Sequence, residues 1–340
     1  MIQRILKILA LVIIGGFLLS STGCDEIDVS DVSESNLAYS MRLTAGYLGA
    51  EYNSDNHFFI AVGTGGRITK FYEDGSVREL ESGTAKNLSG VYTSGNLIIV
   101  SGEGGTILYS KDGETFEPAG TGGMTGSIFS ITSFKGIYLA GASRGIILTS
   151  PNGVDWIPQA SGVNGDIISI DANNNFIMAI TEETDVLIST DGLNWEIENF
   201  NEVYEGFYPE FQFRRIKSIS PVFFLLGQRK EEPGIPFLFS TGTGEIWMPI
   251  CLEMINDEFH DYEASPVTVH DTVTFSGELL VAASGGRILR IDDCARCNKS
   301  GGYMKSDIYA MATGGNKVLI AGRDFEYKII REMEDDCDVC

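Results

Sequence analysis

The sequence predicts an all-β protein, a seven-bladed β-propeller of four-stranded antiparallel blades. A short apolar run that ends in Gly or Thr recurs seven times, at intervals of 39, 39, 40, 46, 58 and 37 residues. A period near 40 residues is typical of propeller repeats. The runs are FFIAVG, LIIVSG, IYLAG, FIMAIT, VFFLLG, LVAASG and KVLIAG, which end at Gly63, Gly102, Gly141, Thr181, Gly227, Gly285 and Gly322.

Each copy contains the same succession of strand-like segments. A weaker strand such as LSGVYTS comes first, and the apolar run, a Gly-rich turn and a third strand such as GTILY follow. Runs of this length, separated by turn residues, predict a four-stranded meander. One meander cannot bury both of its faces, so we expect seven to pack face to face around an axis. The apolar run is then the second strand, which is continuous because both of its faces are covered.

Residues 1–23 are predicted to be an export signal and not part of the fold. Arg4 and Lys7 precede the apolar stretch ILALVIIGGFLL, and small residues follow it up to Cys24. Ser21 to Cys24 resemble a bacterial lipobox, which implies that Cys24 is lipidated. The alternatives are a conventional cleaved signal and an uncleaved anchor. We expect an exported protein, anchored by lipid to the cell membrane or outer membrane and facing the periplasm or the exterior.

The rest of the chain is predicted to consist of a linker, residues 24–35, and the propeller, residues 36–340. The last copy has no obvious fourth strand before its end at EDDCDVC. The segment NLAYSMRL, residues 36–43, could supply that strand and close the ring, which would remove two open sheet edges.

The charge of the chain excludes nucleic acid as a partner. Asp and Glu number 47 against 24 Lys and Arg, a net charge of −23, and the basic residues form no cluster. Binding to a phosphate backbone requires clustered Lys and Arg. The acidic excess is typical of a soluble, exposed surface.

One motif recurs after the third strands: SKDGETF from Ser110, SPNGVDW from Ser150, STDGLNW from Ser189 and STGTGEIW from Ser240. It predicts a tight turn in which Gly113 has a positive φ and Ser110 and Asp112 bond the turn's own amides. The closing aromatic should fill a space between blades. The predicted structural turn residues are Asp112, Phe116, Asn152, Trp156, Asp191, Trp195 and Trp247.

These turns resemble Asp-box (BNR) repeats, and the whole chain resembles the Ycf48-like photosystem-assembly propellers and their bacterial relatives. Asp-box turns usually read SxDxGxTW. Three of the turns here are one residue shorter, and STGTGEIW has the full length with Gly242 in the Asp place. The resemblance implies turns that are structural and not catalytic. It also implies a protein that helps to assemble a membrane protein complex, although the acidic charge departs from that family. We expect a monomer that binds a protein partner.

Departures from the regular repeat predict where a partner binds. Three insertions fall in loops that should share one face and one sector: NEVYEGFYPEFQFR, QRKEEPGIP and EMINDEFHDYEASPV. Exposed aromatic residues mixed with Arg and acidic groups are typical of interfaces. The predicted partner-binding residues are Tyr204, Phe207, Tyr208, Phe211, Phe213, Arg229 and His260. The alternative is that these aromatic residues form a small core within the insertion.

Two CxxC motifs, DDCARC and DDCDVC, place Cys294, Cys297, Cys337 and Cys340 in pairs. In an exported protein we expect disulfides, either within each motif or between the two. Zinc bound by the thiolates is the remaining alternative, and no other metal or cofactor is expected. Cys251 is left over and is interpreted as a buried thiol.

An enzymatic function is the alternative to a binding scaffold. Asp boxes also occur in sialidases, which makes a carbohydrate-active hydrolase the second hypothesis, and FRRIKS, residues 213–218, faintly resembles a sialidase element. The residues His57, His260 and His270 have no metal-binding spacing. The glycine-rich GTGG and GEGG segments precede no helix, which argues against a phosphate-binding loop. The sequence therefore favours a protein without catalytic residues.

Overall fold

The computed structural model describes residues 45–203, 210–230, 236–250, 267–291 and 299–331. Within these residues 27 strands form seven separate antiparallel sheets. Six sheets have four strands, and the seventh has three described strands. The prediction of a seven-bladed β-propeller of antiparallel blades is confirmed.

The strands follow one another through the blades in chain order. Blade 1 comprises β1 (Tyr47–Asn53), β2 (Phe58–Gly63), β3 (Ile68–Tyr72) and β4 (Val77–Leu80), and blade 2 comprises β5 (Leu88–Ser94), β6 (Leu97–Gly102), β7 (Thr106–Ser110) and β8 (Glu117–Pro118). Blade 3 comprises β9 (Ile128–Phe134), β10 (Ile137–Ala142), β11 (Ile146–Ser150) and β12 (Ile157–Ala160), and blade 4 comprises β13 (Ile167–Ala172), β14 (Ile177–Thr181), β15 (Asp185–Ser189) and β16 (Glu196–Asn199).

Blade 5 comprises β17 (Phe211–Ile219), β18 (Val222–Arg229), β19 (Pro236–Thr241) and β20 (Met248–Ile250), and blade 6 comprises β21 (Val269–Phe275), β22 (Glu278–Ala283), β23 (Arg287–Ile291) and β24 (Lys299–Gly302). Blade 7 comprises β25 (Ile308–Gly314), β26 (Lys317–Gly322) and β27 (Tyr327–Ile330). Among the described residues, one short helix, α1 (Phe200–Val203), follows blade 4, and two 3-10 turns cover Thr64–Gly66 and Ser284–Gly286. No helix in the described ranges is long and apolar enough to cross a membrane.

The first strand of every blade lies next to the axis. Each first strand neighbours that of the following blade, and β25 neighbours β1, so the ring is closed. The chain also joins blade 7 where its described part begins, because the N–H of Asp324 donates to the carbonyl of Ala45 at 2.6 Å. The predicted closing strand, residues 36–43, and the linker before it lie outside the described residues.

The core consists of seven apolar clusters, one between each pair of neighbouring blades. The second strands supply much of it: all six residues of Phe58–Gly63 and all six of Lys317–Gly322 are buried. The cluster between blades 7 and 1 joins Phe59 and Phe71 to Leu319. Burial of one such aliphatic or aromatic side chain contributes about 1.5–3 kcal/mol. The apolar runs are therefore the second strands, as the sequence predicts.

Two kinds of connection share one face of the ring, which we call the loop face. These are the turns between second and third strands and the links between blades. The N–H of Gly65 donates to Asn87 Oδ1 at 2.9 Å, and that of Gly285 donates to Asp307 Oδ1 at 2.7 Å. In both cases a turn of one blade is bonded to the link that follows the same blade. The turns between third and fourth strands lie on the opposite face, the turn face.

The glycines of the loop-face turns are required by close packing against these links. Gly66 has a φ of 77°, and a Cβ on it would lie 1.9 Å from the carbonyl oxygen of Thr84. Gly286 has a φ of 70°, and a Cβ there would lie 1.9 Å from the carbonyl oxygen of Met304. A side chain is excluded by both the backbone conformation and the contact. This explains why a Gly-rich turn follows the second strand in several copies of the repeat.

Candidate binding site at the channel mouth

Every first strand carries a β-bulge at the same place. The pairing of the first strand with the second skips one residue, as between Tyr47 and Gly49 in blade 1 and between Val269 and Asp271 in blade 6. A bulge redirects the side chain of the extra residue, and bulges are frequent beside functional sites. The seven extra residues, which we call the mouth ring, are Leu48, Ser89, Phe129, Ile168, Arg214, His270 and Tyr309.

The mouth ring surrounds the axis at the loop face. Its residues lie at the start of the innermost strands, directly after the links between blades, and all seven are half-buried. Neighbouring members approach one another around the ring: the imidazole of His270 and the phenol ring of Tyr309 lie 5.0 Å apart, nearly perpendicular at 85°. Ser89 Oγ donates to the carbonyl of Ile128, the residue before Phe129, at 3.2 Å. The seven residues therefore lie at one level around the axis, because each is the bulge residue of a first strand and the first strands are neighbours.

The wall has two chemically different arcs. Blades 1 to 4 contribute Leu48, Phe129 and Ile168 together with the small Ser89. Blades 5 to 7 contribute Arg214, His270 and Tyr309, whose side chains carry hydrogen-bond donors. A molecule held at the mouth would thus contact apolar groups on one side and polar groups on the other.

A hydrogen-bonded group supports the polar arc. Asp307 accepts from the N–H of Gly285 at 2.7 Å and from the Tyr309 hydroxyl at 3.4 Å, and its carboxylate lies 3.2 Å from Arg323 Nη2. A hydrogen bond with Tyr309 raises the pKa of Arg323. Tyr309 is therefore held in place by partners on both sides. A site with such support is ordered before any ligand binds.

His270 is uncharged at neutral pH. Burial, and next the positive charge of Arg214, lower its pKa to about 4. The neutral imidazole has one donor and one acceptor nitrogen. Arg214 is consequently the member of the mouth ring that carries a positive charge at neutral pH.

A second layer of charged residues lies three positions deeper along the first strands. It includes Glu51, Asp171 and Lys217. Burial raises the pKa of Glu51, and Lys217 opposes that rise. Burial also lowers the pKa of Lys217, but the charges of Asp271, Glu51 and Asp171 outweigh burial and raise it. The neighbouring acidic residues therefore stabilise the positive charge of Lys217.

Two carboxylates of this region join neighbouring blades. Asp171 accepts from Thr132 Oγ1 at 3.1 Å and from the N–H of Ser218 at 2.8 Å. Asp271 accepts from the N–H of Met311 at 2.9 Å, and its carboxylate lies 3.6 Å from Arg215 Nε. The FRRIKS segment thus places Arg214 at the mouth and directs Arg215 and Lys217 toward carboxylates of the channel.

The base of the blade 5 insertions lies on the loop face beside the polar arc. Asn201, in helix α1, accepts from the N–H of Phe211 at 3.0 Å, which closes the base of the insertion at residues 204–209. Lys230 donates to Glu210 at 2.7 Å, so the chain before residues 231–235 lies next to the first insertion. The described residues that flank the two insertions, Glu210 and Lys230, therefore lie side by side. Phe211, next to Glu210, is three residues before Arg214 in strand β17.

Two of the predicted partner-binding residues are wrong. Phe211 is 4% exposed and Phe213 is 2% exposed, and both pack around Phe200 in the core between blades 4 and 5. The ring centroid of Phe200 lies 5.5 Å from that of Phe211 and 5.4 Å from that of Phe213. Neither residue forms a small core within the insertion either, because the long strand β17 places both in the interface between blades 4 and 5.

Of the five remaining predicted partner residues, one lies within the described part of the chain and four lie outside it. Arg229 ends strand β18, pairs with Phe211 in the sheet and is half-buried. Tyr204, Phe207, Tyr208 and His260 lie outside the described residues, as do Cys24, Cys251, Cys294, Cys297, Cys337 and Cys340. Among the residues that the structure does describe, no group of three or more His, Cys, Asp or Glu could hold a metal ion.

The turn motifs have a common set of hydrogen bonds. Asp112 Oδ1 accepts from the N–H groups of Glu114 and Thr115, both at 2.8 Å, and from Ser110 Oγ at 2.9 Å. Asn152 and Asp191 accept the equivalent pairs of N–H groups in blades 3 and 4. These bonds, first those from the backbone, hold the pKa of Asp112 and that of Asp191 well below their usual range.

The aromatic residues that close these turns lie between blades. Trp156 and Trp247 are buried, and Trp156 Nε1 donates to the carbonyl of Gly153 at 3.0 Å. Phe116 and Trp195 are half-buried and pack on the adjacent apolar clusters. The aromatic rings thus extend the apolar clusters to the turn face.

The alignment of the blade 5 turn predicted from sequence is wrong by one residue. Thr241 Oγ1 accepts from the N–H of Gly244 at 2.8 Å, as Ser150 accepts from Gly153 at 2.9 Å. The motif therefore begins at Thr241 and has the same seven-residue length as the others. Thr243, not Gly242, takes the Asp place and accepts from the N–H of Glu245 at 3.3 Å.

Comparison with known proteins adds a fold relationship. No protein-family model matches the sequence, and no curated protein matches it. A structure of YCF48 bound to a D1 peptide is similar, with a TM-score of 0.65 and 14% identity over 85% of this chain and 92% of that one. This chain shares the YCF48 fold. The resemblance predicted from the repeats is confirmed at that level.

Two further solved propellers are similar. YCF48 from Cyanidioschyzon merolae has a TM-score of 0.64 and 14% identity, over 84% of this chain and 95% of that one. The WD40 β-propeller domain of Doa1 has a TM-score of 0.62 and 10% identity, over 84% of this chain and 92% of that one. At these identities the shared property is the architecture, so the site must be argued from the residues of this chain.

Proposed function

We propose that this protein is a scaffold of the cell envelope that binds a segment of a partner protein on its loop face. The observation that carries the proposal is the position of the blade 5 insertions, whose bases lie side by side next to the Arg214 arc of the mouth ring. A rigid ring that presents irregular loops on one face is the usual arrangement of a binding module. YCF48 with a D1 peptide provides an example of a similar fold that binds a peptide.

The finer parts of the proposal concern the membrane. Cys24 would carry a lipid anchor, and the linker that follows it would leave the ring free to meet a membrane complex during assembly. The predicted export signal and the resemblance to Ycf48-like propellers support this view. Replacement of Cys24 by Ala should release the protein from the membrane fraction, whereas persistent membrane association and unchanged acyl labelling would oppose a lipid anchor.

A loop replacement in the full-length chain tests partner binding. Residues 204–209 are replaced by a Gly-Ser segment of equal length, which spares Phe211 and Phe213 because both belong to the core. Crosslinking in the native membrane, followed by mass spectrometry, should then recover partner proteins in clearly smaller amounts than with the unmodified chain. Thermal unfolding is measured in parallel to establish that the ring is intact.

A matched control changes the opposite face. Leu193→Ser alters an exposed apolar residue in a turn on the turn face. We expect this variant to recover the same partners as the unmodified chain. Equal recovery with the 204–209 replacement and with Leu193→Ser would contradict binding through the loop face.

A further inference from the structure

We propose that the mouth ring binds a protein segment that presents a carboxylate next to an apolar side chain. This inference rests on the proposed function, because it names the chemistry of the partner segment at that face. The supporting observation is that the ring has an apolar arc and a polar, donor-bearing arc. The seven equivalent bulges place both arcs around the same opening.

The donor-bearing arc favours an anion. Arg214 has only N–H donors, and the neutral His270 imidazole can donate one hydrogen bond, whereas the Tyr309 hydroxyl donates its proton to Asp307. The neighbouring carboxylate, Asp307, accepts from the N–H of Gly285 and the hydroxyl of Tyr309 and pairs with Arg323. A carboxylate of the partner would be bound by charge-assisted hydrogen bonds, which are shorter and stronger than neutral ones.

The apolar arc favours a side chain without polar atoms. Leu48, Phe129 and Ile168 are half-buried and lie at the same level as Arg214 because each is the bulge residue of its own blade. Water at this arc would be displaced by an aliphatic or aromatic group of the partner, which is favourable in proportion to the apolar area covered. One ligand that contacts both arcs must therefore carry the two groups close together.

The recognition does not depend on long-range attraction. The chain has a net charge of −23 and would repel an acidic partner at a distance. Contacts at the mouth act within a few ångströms, and Arg214, the bulge residue of blade 5, supplies the positive charge of the mouth ring there. The local arrangement, not the total charge, selects the segment.

Four fluorescein-labelled octapeptides with Gly-Ser flanks test the inference on the full-length protein in detergent. Three have an amidated C-terminus and a central Leu-Glu, Leu-Gln or Ser-Glu pair. The fourth ends in Leu with a free carboxylate, which separates a chain terminus from an acidic side chain as the source of the anion. Fluorescence anisotropy should show that the Leu-Glu or the terminal-Leu peptide binds at least about 10-fold more tightly than the Leu-Gln and Ser-Glu peptides.

Variants of the ring assign the contacts. Arg214→Gln should reduce the preference for Leu-Glu, or for the terminal-Leu peptide, over Leu-Gln, and Arg214→Lys should retain part of that preference. Phe129→Ser should reduce the preference for Leu-Glu over Ser-Glu. Ile246→Ser, on the turn face, is the control and should change nothing. Because each readout is a ratio between two peptides, a fall in the amount of folded protein does not change it.

Equal binding of all four peptides, or equal ratios in the ring variants and the control, would overturn the inference. The proposed function fails in a different way. If partner recovery in the native membrane still depends on residues 204–209 while the peptides are not distinguished, the scaffold function stands and only the mouth-ring inference falls.

Discussion

Asp271 of blade 6 accepts a hydrogen bond from the backbone N–H of Met311 in blade 7, across 2.9 Å. Its side chain is only 1% exposed, and it also lies beside Arg215 of blade 5. One carboxylate therefore connects three consecutive first strands around the axis.

Removal of this carboxylate is expected to destabilise the ring. Asp271→Ala would leave the buried N–H of Met311 and the half-buried Arg215 guanidinium without this partner, which costs up to about 3–5 kcal/mol. Asp271→Asn preserves one acceptor and should cost less. Urea unfolding of both variants measures the free energies, and an Asp271→Ala variant as stable as the unmodified chain would contradict this role.

The pH dependence of stability should contain a contribution from His270. Its pKa in the folded protein is about 4, below the value of about 6.5 for an unfolded chain. Between these two values the unfolded chain binds a proton that the folded protein does not, so stability falls as the pH is lowered from 6.5 to 4. The loss is at most about 3 kcal/mol, and His270→Gln should flatten this part of the curve.

Leu193→Ser provides the control for this measurement. The Leu193 side chain is 57% exposed on the turn face. We expect Leu193→Ser to keep the slope of stability against pH between 4 and 6.5, because this substitution changes no titratable group. Unfolding in urea at several pH values gives the slopes, and identical slopes for His270→Gln and the unmodified chain would refute the assignment.

The turn carboxylates should act in a lower pH range. Hydrogen bonds from backbone N–H groups lower the pKa of Asp112 and Asp191 in the folded protein. A carboxylate with a lowered pKa contributes stability above its unfolded value, near 3.9, and loses it as the pH falls through the folded value. Asp112→Asn should therefore be less stable than the unmodified chain at pH 5, and the difference in Tm should shrink toward pH 2.

Blade 3 supplies a natural reference for that experiment. Asn152 occupies the position of Asp112 and accepts the same pair of N–H groups without a titratable charge. Asn152→Asp should add a stability difference that is larger at pH 5 than at pH 2. A Tm difference for Asp112→Asn that stays constant over this range would show that the carboxylate charge is not responsible.

The fold was predictable because the packing of each blade requires particular sequence patterns, which recur in every repeat. The apolar runs are continuous where both faces of a second strand are covered, as in Phe58–Gly63. The Gly-rich turns follow from the contact between Gly66 and the link at Thr84. These constraints act within one repeat and recur seven times, so composition and spacing are enough to recognise them.

The candidate site was much less predictable. A bulge shifts the pairing of a first strand by one residue, and no sequence pattern around His270 or Ile168 indicates that shift. The mouth ring also joins residues from seven blades that are distant in sequence. Phe211 and Phe213 were predicted to bind a partner but belong to the core. The sequence alone does not distinguish aromatic residues that cover a surface from those that fill the space around Phe200.

The aromatic cluster between blades 4 and 5 makes a final prediction. Phe200 is 2% exposed and packs against Phe211, Phe213 and Trp247. Phe200→Ala should destabilise the protein by about 3–5 kcal/mol, because the loss of the buried ring leaves a cavity. Ile157→Ala, at a residue that is 62% exposed, should change stability by less than about 0.5 kcal/mol in the same urea titration. Comparable losses in the two variants would contradict the placement of Phe200 at the centre of this core.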